Sequence, residues 1–145
     1  MTTAALVVYN QFPEDLAKKV HNLATDTLKV ALSNTAPDAA DAVLADAAEI
    51  AAGNGYSAGG AAVTVTSCEQ TAGSAALIIA DVTVVTATGS VGPFRYAILY
   101  NDTPTSPADP LIGYLDYGSA VTLGDTESLT LDLSAVTGVL TIAKA

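Results

Sequence analysis

From Ala61 onward the chain alternates apolar and polar positions with a period of two, broken at short intervals by glycine, proline and aspartate. Alternation of this kind predicts short strands that each bury one face. Val63 and Val65 alternate with Thr64 and Thr66, Val82 and Val84 flank Thr83, and Tyr96, Ile98 and Tyr100 oppose Ala97, Leu99 and Asn101. Ala75 to Ile79 is a continuous apolar run, Leu129, Leu131 and Leu133 face away from Thr130 and Asp132, and Leu140 and Ile142 form a closing strand. Gly89 to Pro93, Asn101 to Pro104 and Ser106 to Pro110 read as breaks, with tighter turns at Gly118 and at Gly124-Asp125.

Upstream, Leu28, Val30 and Leu32 alternate with Lys29, Ala31 and Ser33, which predicts one more half-buried strand. Asp38 to Ala52 is alanine-rich and reads as a long excursion with a helical turn. It leads into Gly53, Gly55, Tyr56, Gly59 and Gly60, whose glycines tolerate positive φ and close backbone approach. We read this stretch as a structural joint that aims the chain into the main sheets, with Tyr56 as its packing anchor. A phosphate-cradling loop would need a following helix and a nearby lysine, and Val63 with its alternating neighbours follows instead.

About eight strands without βα alternation predict a mainly β fold, a single antiparallel β-sandwich of jelly-roll-like type. Residues 27–145 form that domain. Residues 1–26 read either as an extended N-terminal arm or as a short helix, with Pro13 in its first turn and Leu16, Val20 and Leu23 at helical spacing. A length of 145 residues fits one domain.

Fifteen acidic against five basic residues give a formal charge of −10, and no basic residue lies between Lys29 and Arg95. Phosphate-backbone contacts each need a cation, so nucleic acid is not an expected partner. No apolar run reaches membrane-spanning length, so no membrane partner is expected, and the N-terminal residues lack a signal-peptide pattern. The protein is therefore expected to be made in a cytoplasm.

One cysteine, Cys68, and one histidine, His21, supply neither a disulfide nor a Cys/His metal set, so no cofactor and no metal are expected. No nucleophile elbow is present, and no catalytic residue is assigned. Asp46 and Glu49 stand at an interval that puts two carboxylates on one helical face, but solvated acids are the simpler reading. Asp116, between Leu115 and Tyr117, reads as an acceptor of backbone N–H groups at a strand-to-turn transition, or as a contact for a sugar or cation. Arg95 stands alone in an acidic and neutral stretch and is expected to pair with a carboxylate, within the domain or across an interface. Tyr96, Tyr100, Tyr114 and Tyr117 cluster around it in the sequence and, with Arg95 and Asp116, form the candidate interface. They read equally as core aromatics whose hydroxyls reach the rim.

Five segments in order, Leu28 to Leu32, Asp46 to Ile50, Gly55 to Gly60, Pro93 to Asp102 and Pro110 to Gly118, resemble a group of small tailed-bacteriophage virion proteins. The resemblance spans most of residues 28–143. It implies a non-enzymatic structural protein with a compact β fold; some such proteins are capsid cement or decoration subunits and others belong to tails. The expected role is a cement protein on the capsid exterior, made in the host bacterial cytoplasm. Its expected partners are the major capsid protein and further copies of itself, as a dimer or trimer. The alternative is a tail-associated receptor- or glycan-binding β module using Tyr114 to Tyr117.

Overall fold

The computed structural model describes residues 5–133 and 138–144. The fold is mainly β and antiparallel, as the alternation predicts. Its elements are β1 (Val7–Val8), α1 (Phe12–Ala17), β2 (Leu28–Ser33), a turn of 3-10 helix (Leu44–Asp46), β3 (Ala61–Ala62), β4 (Val65–Thr71), β5 (Ser74–Ile79), β6 (Val82–Thr86), β7 (Val91–Asn101), β8 (Leu111–Leu123), β9 (Ser128–Leu131) and β10 (Leu140–Ala143). Ten strands among the described residues exceed the eight expected, because β1 and β3 are two-residue ladders too short to show any alternation.

Five strands form one sheet in the order β1-β8-β7-β2-β3; a three-stranded sheet β10-β5-β4 and a pair β6-β9 form the opposing layer. The two layers meet through Leu28, Val30, Leu32, Leu99 and Ile112 on one side and Leu77, Ile79, Val85, Leu131 and Leu140 on the other. This is the sheet-on-sheet burial that small and branched residues favour.

The large sheet also buries its second face. Tyr96 to Asn101 of β7 are all buried. Ile98, Tyr100, Ala31 and Leu111 pack there with Tyr9 and against Leu44 and Ala47 of the excursion. Alternation in β7 therefore marks two apolar faces, and the segment 34–60 is a layer of the structure.

That layer is fastened along the outer edge of β2. The Val63 N–H donates to the Leu28 carbonyl at 2.9 Å, β3 pairs with Lys29 and Val30, and the Ile50 N–H donates to the Leu32 carbonyl at 2.9 Å. The Leu32 N–H donates to the Tyr56 hydroxyl at 3.0 Å, and that hydroxyl donates to Glu49 Oε1 at 2.7 Å. Glu49 Oε1 also accepts the Gly59 N–H at 2.6 Å, while the Tyr100 hydroxyl donates to the Gly59 carbonyl at 2.6 Å. Gly60, at φ +74°, lies against Val30 so closely that a Cβ would overlap the Val30 carbonyl. Gly55 approaches the Thr86 carbonyl in the same way, which ties the joint to β6 in the other layer.

Two expected breaks are strand. Val91 to Pro93 begin β7, and a register shift between Val91 and Phe94 accommodates the proline. Gly118 lies inside β8 at φ +97°, in an irregularity where Arg95 alone spans the gap between the pairs Phe94↔Val121 and Tyr96↔Asp116. Asp46 and Glu49 do not share a helical face, since the helical turn ends at Asp46. Asp46 instead accepts the N–H groups of Ala42 (3.0 Å) and Val43 (3.1 Å), bonds that lower its pKa.

Residues 5–26 lie against the large sheet: β1 pairs with β8, and Tyr9, Phe12 and Leu23 are buried. α1 begins at Phe12 and spans only part of the apolar spacing that ran on to Leu23.

The β4–β5 hairpin turns through Ala72 and Gly73, both at positive φ (53° and 87°), between the paired Thr71 and Ser74. Two residues at positive φ make a turn that favours Asn-Gly, and alanine carries a steric cost there. Ala72→Asn is expected to stabilise the protein by about 0.5–1 kcal/mol in chemical unfolding; an unchanged midpoint would remove this account of the turn.

Candidate functional site

The longest strands, β7 and β8, carry the candidate residues to one corner of the large sheet. Tyr96 pairs with Asp116 and Ile98 with Tyr114, so these four side chains share a face. The Arg95 guanidinium holds Asp116 in a two-pronged contact, Nε to Oδ1 at 2.8 Å and Nη2 to Oδ2 at 3.0 Å. It also lies 5.3 Å from the centre of the Tyr96 ring, within cation–π range. The Gly118 N–H donates to Asp116 Oδ1 at 2.8 Å, so the carboxylate fixes both the arginine and the irregular stretch of β8. The Arg95 hydrogen bonds, followed by that from Gly118, pull the Asp116 pKa below the usual carboxylate range.

The rings continue inward. Tyr114 meets Tyr96 edge to face at 6.1 Å and Tyr9 at 5.5 Å. Burial, then the Asp41 carboxylate, pushes the Tyr9 phenol well above its ordinary pKa. Tyr117 follows on the exposed stretch of β8 and is 42% exposed. Together Tyr9, Tyr96 and Tyr114 form an aromatic cluster, its first two rings buried, with the half-exposed Arg95–Asp116 pair at its rim.

Of the six residues proposed for an interface, Arg95, Tyr96, Tyr114 and Asp116 come together here, and Tyr117 follows Asp116 at the groove on the other side of the strands. Tyr100 does not. It is buried in the layer beneath the excursion, and its hydroxyl is committed to Gly59. Gly53, Gly55, Tyr56, Gly59 and Gly60 lie in one joint, where the Gly53 and Tyr56 backbones pair with each other and Tyr56 is 3% exposed.

Sequence reasoning missed Val7 and Tyr9. Val7 pairs with Tyr114 and is 46% exposed, so it extends the cluster outward, while the buried Tyr9 ring meets Tyr114 at a tilt of 59°. The alternation Val7-Val8-Tyr9 was the available signal, and three residues are too few to read as a strand.

On the other side of β7 and β8, a groove of about 500 Å³ opens between these strands and β9. Phe94, Leu115, Val121, Leu129 and Leu133 line it, and Arg95 and Tyr117 stand at it. No group of three or more His, Cys, Asp or Glu able to hold a metal occurs among the described residues, and no helix there is long and apolar enough to cross a membrane. His21 is 5% exposed and bonded to Asn101, far in sequence but adjacent in space.

No protein family, no curated protein and no solved structure matches this chain.

Both members of the Arg95–Asp116 pair have 39% exposed side chains, so solvent screens the pair and the fold leans on it little. Arg95→Ala is expected to leave the melting temperature near that of the parent and to raise the Asp116 titration toward the ordinary value of about 3.9. Its lowered folded pKa means that the pair's small stabilisation is present above that ordinary value and is lost as pH falls through the folded one. Carboxyl NMR titration checks the shift; an Asp116 that titrates unchanged in the variant would contradict the role given to Arg95.

Proposed function

We propose that this chain is a structural protein of a tailed-bacteriophage virion, a cement subunit that binds the outer surface of the major capsid lattice and stabilises the head. The observation that carries the reading is the braced corner of β7 and β8. Val7, Tyr114 and Tyr117 offer apolar and aromatic surface there, and the Arg95–Asp116 pair fixes its shape. A cement subunit adds stability through buried interface area, which requires a rigid face rather than a reactive site. The corner stands on a sheet buried on both faces, so little ordering is lost when it docks. The ordered resemblance of five segments to virion proteins supports the same role. Self-association as a dimer or trimer on the lattice, and a location on the capsid exterior, belong to this proposal.

A second reading, a tail-associated receptor- or glycan-binding module, is favoured by the groove beside Tyr117 and Arg95. Exposed aromatic and polar groups at a groove suit sugar rings.

Quantitation of the protein in purified virions, with rebinding to heads stripped of it, separates the two. The cement role predicts a copy number comparable with that of the major capsid protein, and saturable rebinding that falls at least about tenfold for the Tyr117→Ala, Arg95→Ala double variant. A handful of copies per particle, with binding of the purified protein to host cells, would transfer the assignment to the tail.

A further inference from the structure

The buried cluster that fastens α1 to the large sheet is used by neither reading above. Asn101, fully buried on β7, is its centre. Its Nδ2 donates to Asp26 Oδ2 at 2.7 Å and to His21 Nδ1 at 3.1 Å, and its Oδ1 accepts the Thr103 N–H at 3.0 Å. The Thr103 N–H can only donate and a carboxylate only accepts, so the orientation of the Asn101 amide is fixed. Both Nδ2 hydrogens are thereby assigned. His21 must accept at Nδ1 and carry its proton on Nε2.

His21 is enclosed. The Phe12 ring lies 5.2 Å from it, and the carboxylates acting on its charge are Asp15 of α1 and Asp26 of the following loop. From the sheet it meets the neutral Asn101. His21 Nε2 and Asp15 Oδ2 are buried and have no hydrogen-bond partner among the described residues. Burial lowers the ring's pKa, against the opposing pull of Asp15 and Asp26.

We propose that His21 makes the docking of residues 12–26 on the large sheet acid-sensitive. A proton added at Nδ1 turns the acceptor into a donor facing the Asn101 Nδ2 donor. Inverting the Asn101 amide would relieve that contact only by setting its nitrogen against the Thr103 N–H and its oxygen against Asp26. The asparagine is anchored in β7, so the segment carrying His21 and Phe12 gives way.

The direction follows from linkage. With the folded pKa below the unfolded one, the unfolded segment binds more protons, so docking weakens as pH falls below the ordinary imidazole value of about 6.5 and levels off below the folded pKa. The ordinary carboxyl values lie below about pH 5, so of the ordinary side-chain values only that of imidazole falls within this window.

The chain contains a single histidine, so its ring nitrogens give an unambiguous NMR signal. Ring ¹⁵N shifts and amide protection factors, corrected for intrinsic exchange, are to be followed from about pH 7.5 to about pH 5. The neutral ring is expected as the Nε2–H tautomer. As it titrates, protection across residues 12–26 should fall by up to about tenfold for each unit by which its pKa is lowered, while Val30 and Leu99 keep theirs. His21→Gln, which cannot take the charge, should lose this pH dependence. A neutral ring protonated at Nδ1, a titration that leaves residues 12–26 unchanged, or the same pH dependence in His21→Gln would overturn the proposal. If His21→Gln fails to fold, the parent titration alone decides.

Discussion

The Tyr56 hydroxyl sits where a neighbouring strand would otherwise present its own backbone. On its outer edge β2 has β3 beside it only at Lys29 and Val30, yet Leu32 lies in the core and its N–H cannot be left bare. The hydroxyl accepts that N–H and passes its own proton to Glu49, which also holds the Gly59 N–H. One side chain therefore terminates the sheet, positions a carboxylate and draws in the glycine turn. Gly60 can lie against Val30 only because the turn is held there and has no Cβ.

Much of the architecture follows from that closure. With residues 34–60 fastened down, Leu44 and Ala47 cover Ile98, Tyr100 and Leu111, and the large sheet becomes the middle layer between the excursion and the opposing strands. A middle layer buried on both faces backs β7 from Tyr96 to Asn101, and the irregular stretch of β8 at Tyr117 to Ala120 lies just beyond it. The aromatic corner is built at that stretch. Its shape is set by the core beneath it, and its exposure by the departure of β8 from regular pairing.

Physical scale decides what was legible in the sequence. The alternation in Leu129 to Leu133 reports one buried face and reads correctly, whereas that in Leu28 to Ser33 gives the strand but not its second buried face, since Ala31 and Ser33 are buried as fully as Leu28 and Leu32. The same pattern in β7 conceals a second buried face, because Ala97 and Leu99 differ from Tyr96 and Ile98 in size and not in polarity. Glycine and proline announce a departure from regular backbone without saying whether it is a turn or an irregularity inside a strand; Gly118 and Pro93 are both of the latter kind. The partnership of Arg95 with Asp116 was legible as a need, since a lone arginine among acids requires a carboxylate, but its identity depends on strand register. Val7 and Tyr9 join the candidate corner only through pairing with β8, a relation between distant segments. Tyr100 lay close to that corner in sequence and belongs to the joint in space.

The most direct test of the account is the Tyr56→Phe variant, which removes one oxygen and keeps the ring. With the Leu32 N–H and Glu49 left without their shared partner, unfolding free energy is expected to fall by about 1–3 kcal/mol. Amide exchange at Leu32, which is expected to be as slow in the parent protein as in the sheet core, should accelerate more than at Leu99. A variant within about 0.5 kcal/mol of the parent, with Leu32 still fully protected, would show that the sheet closes by some other means.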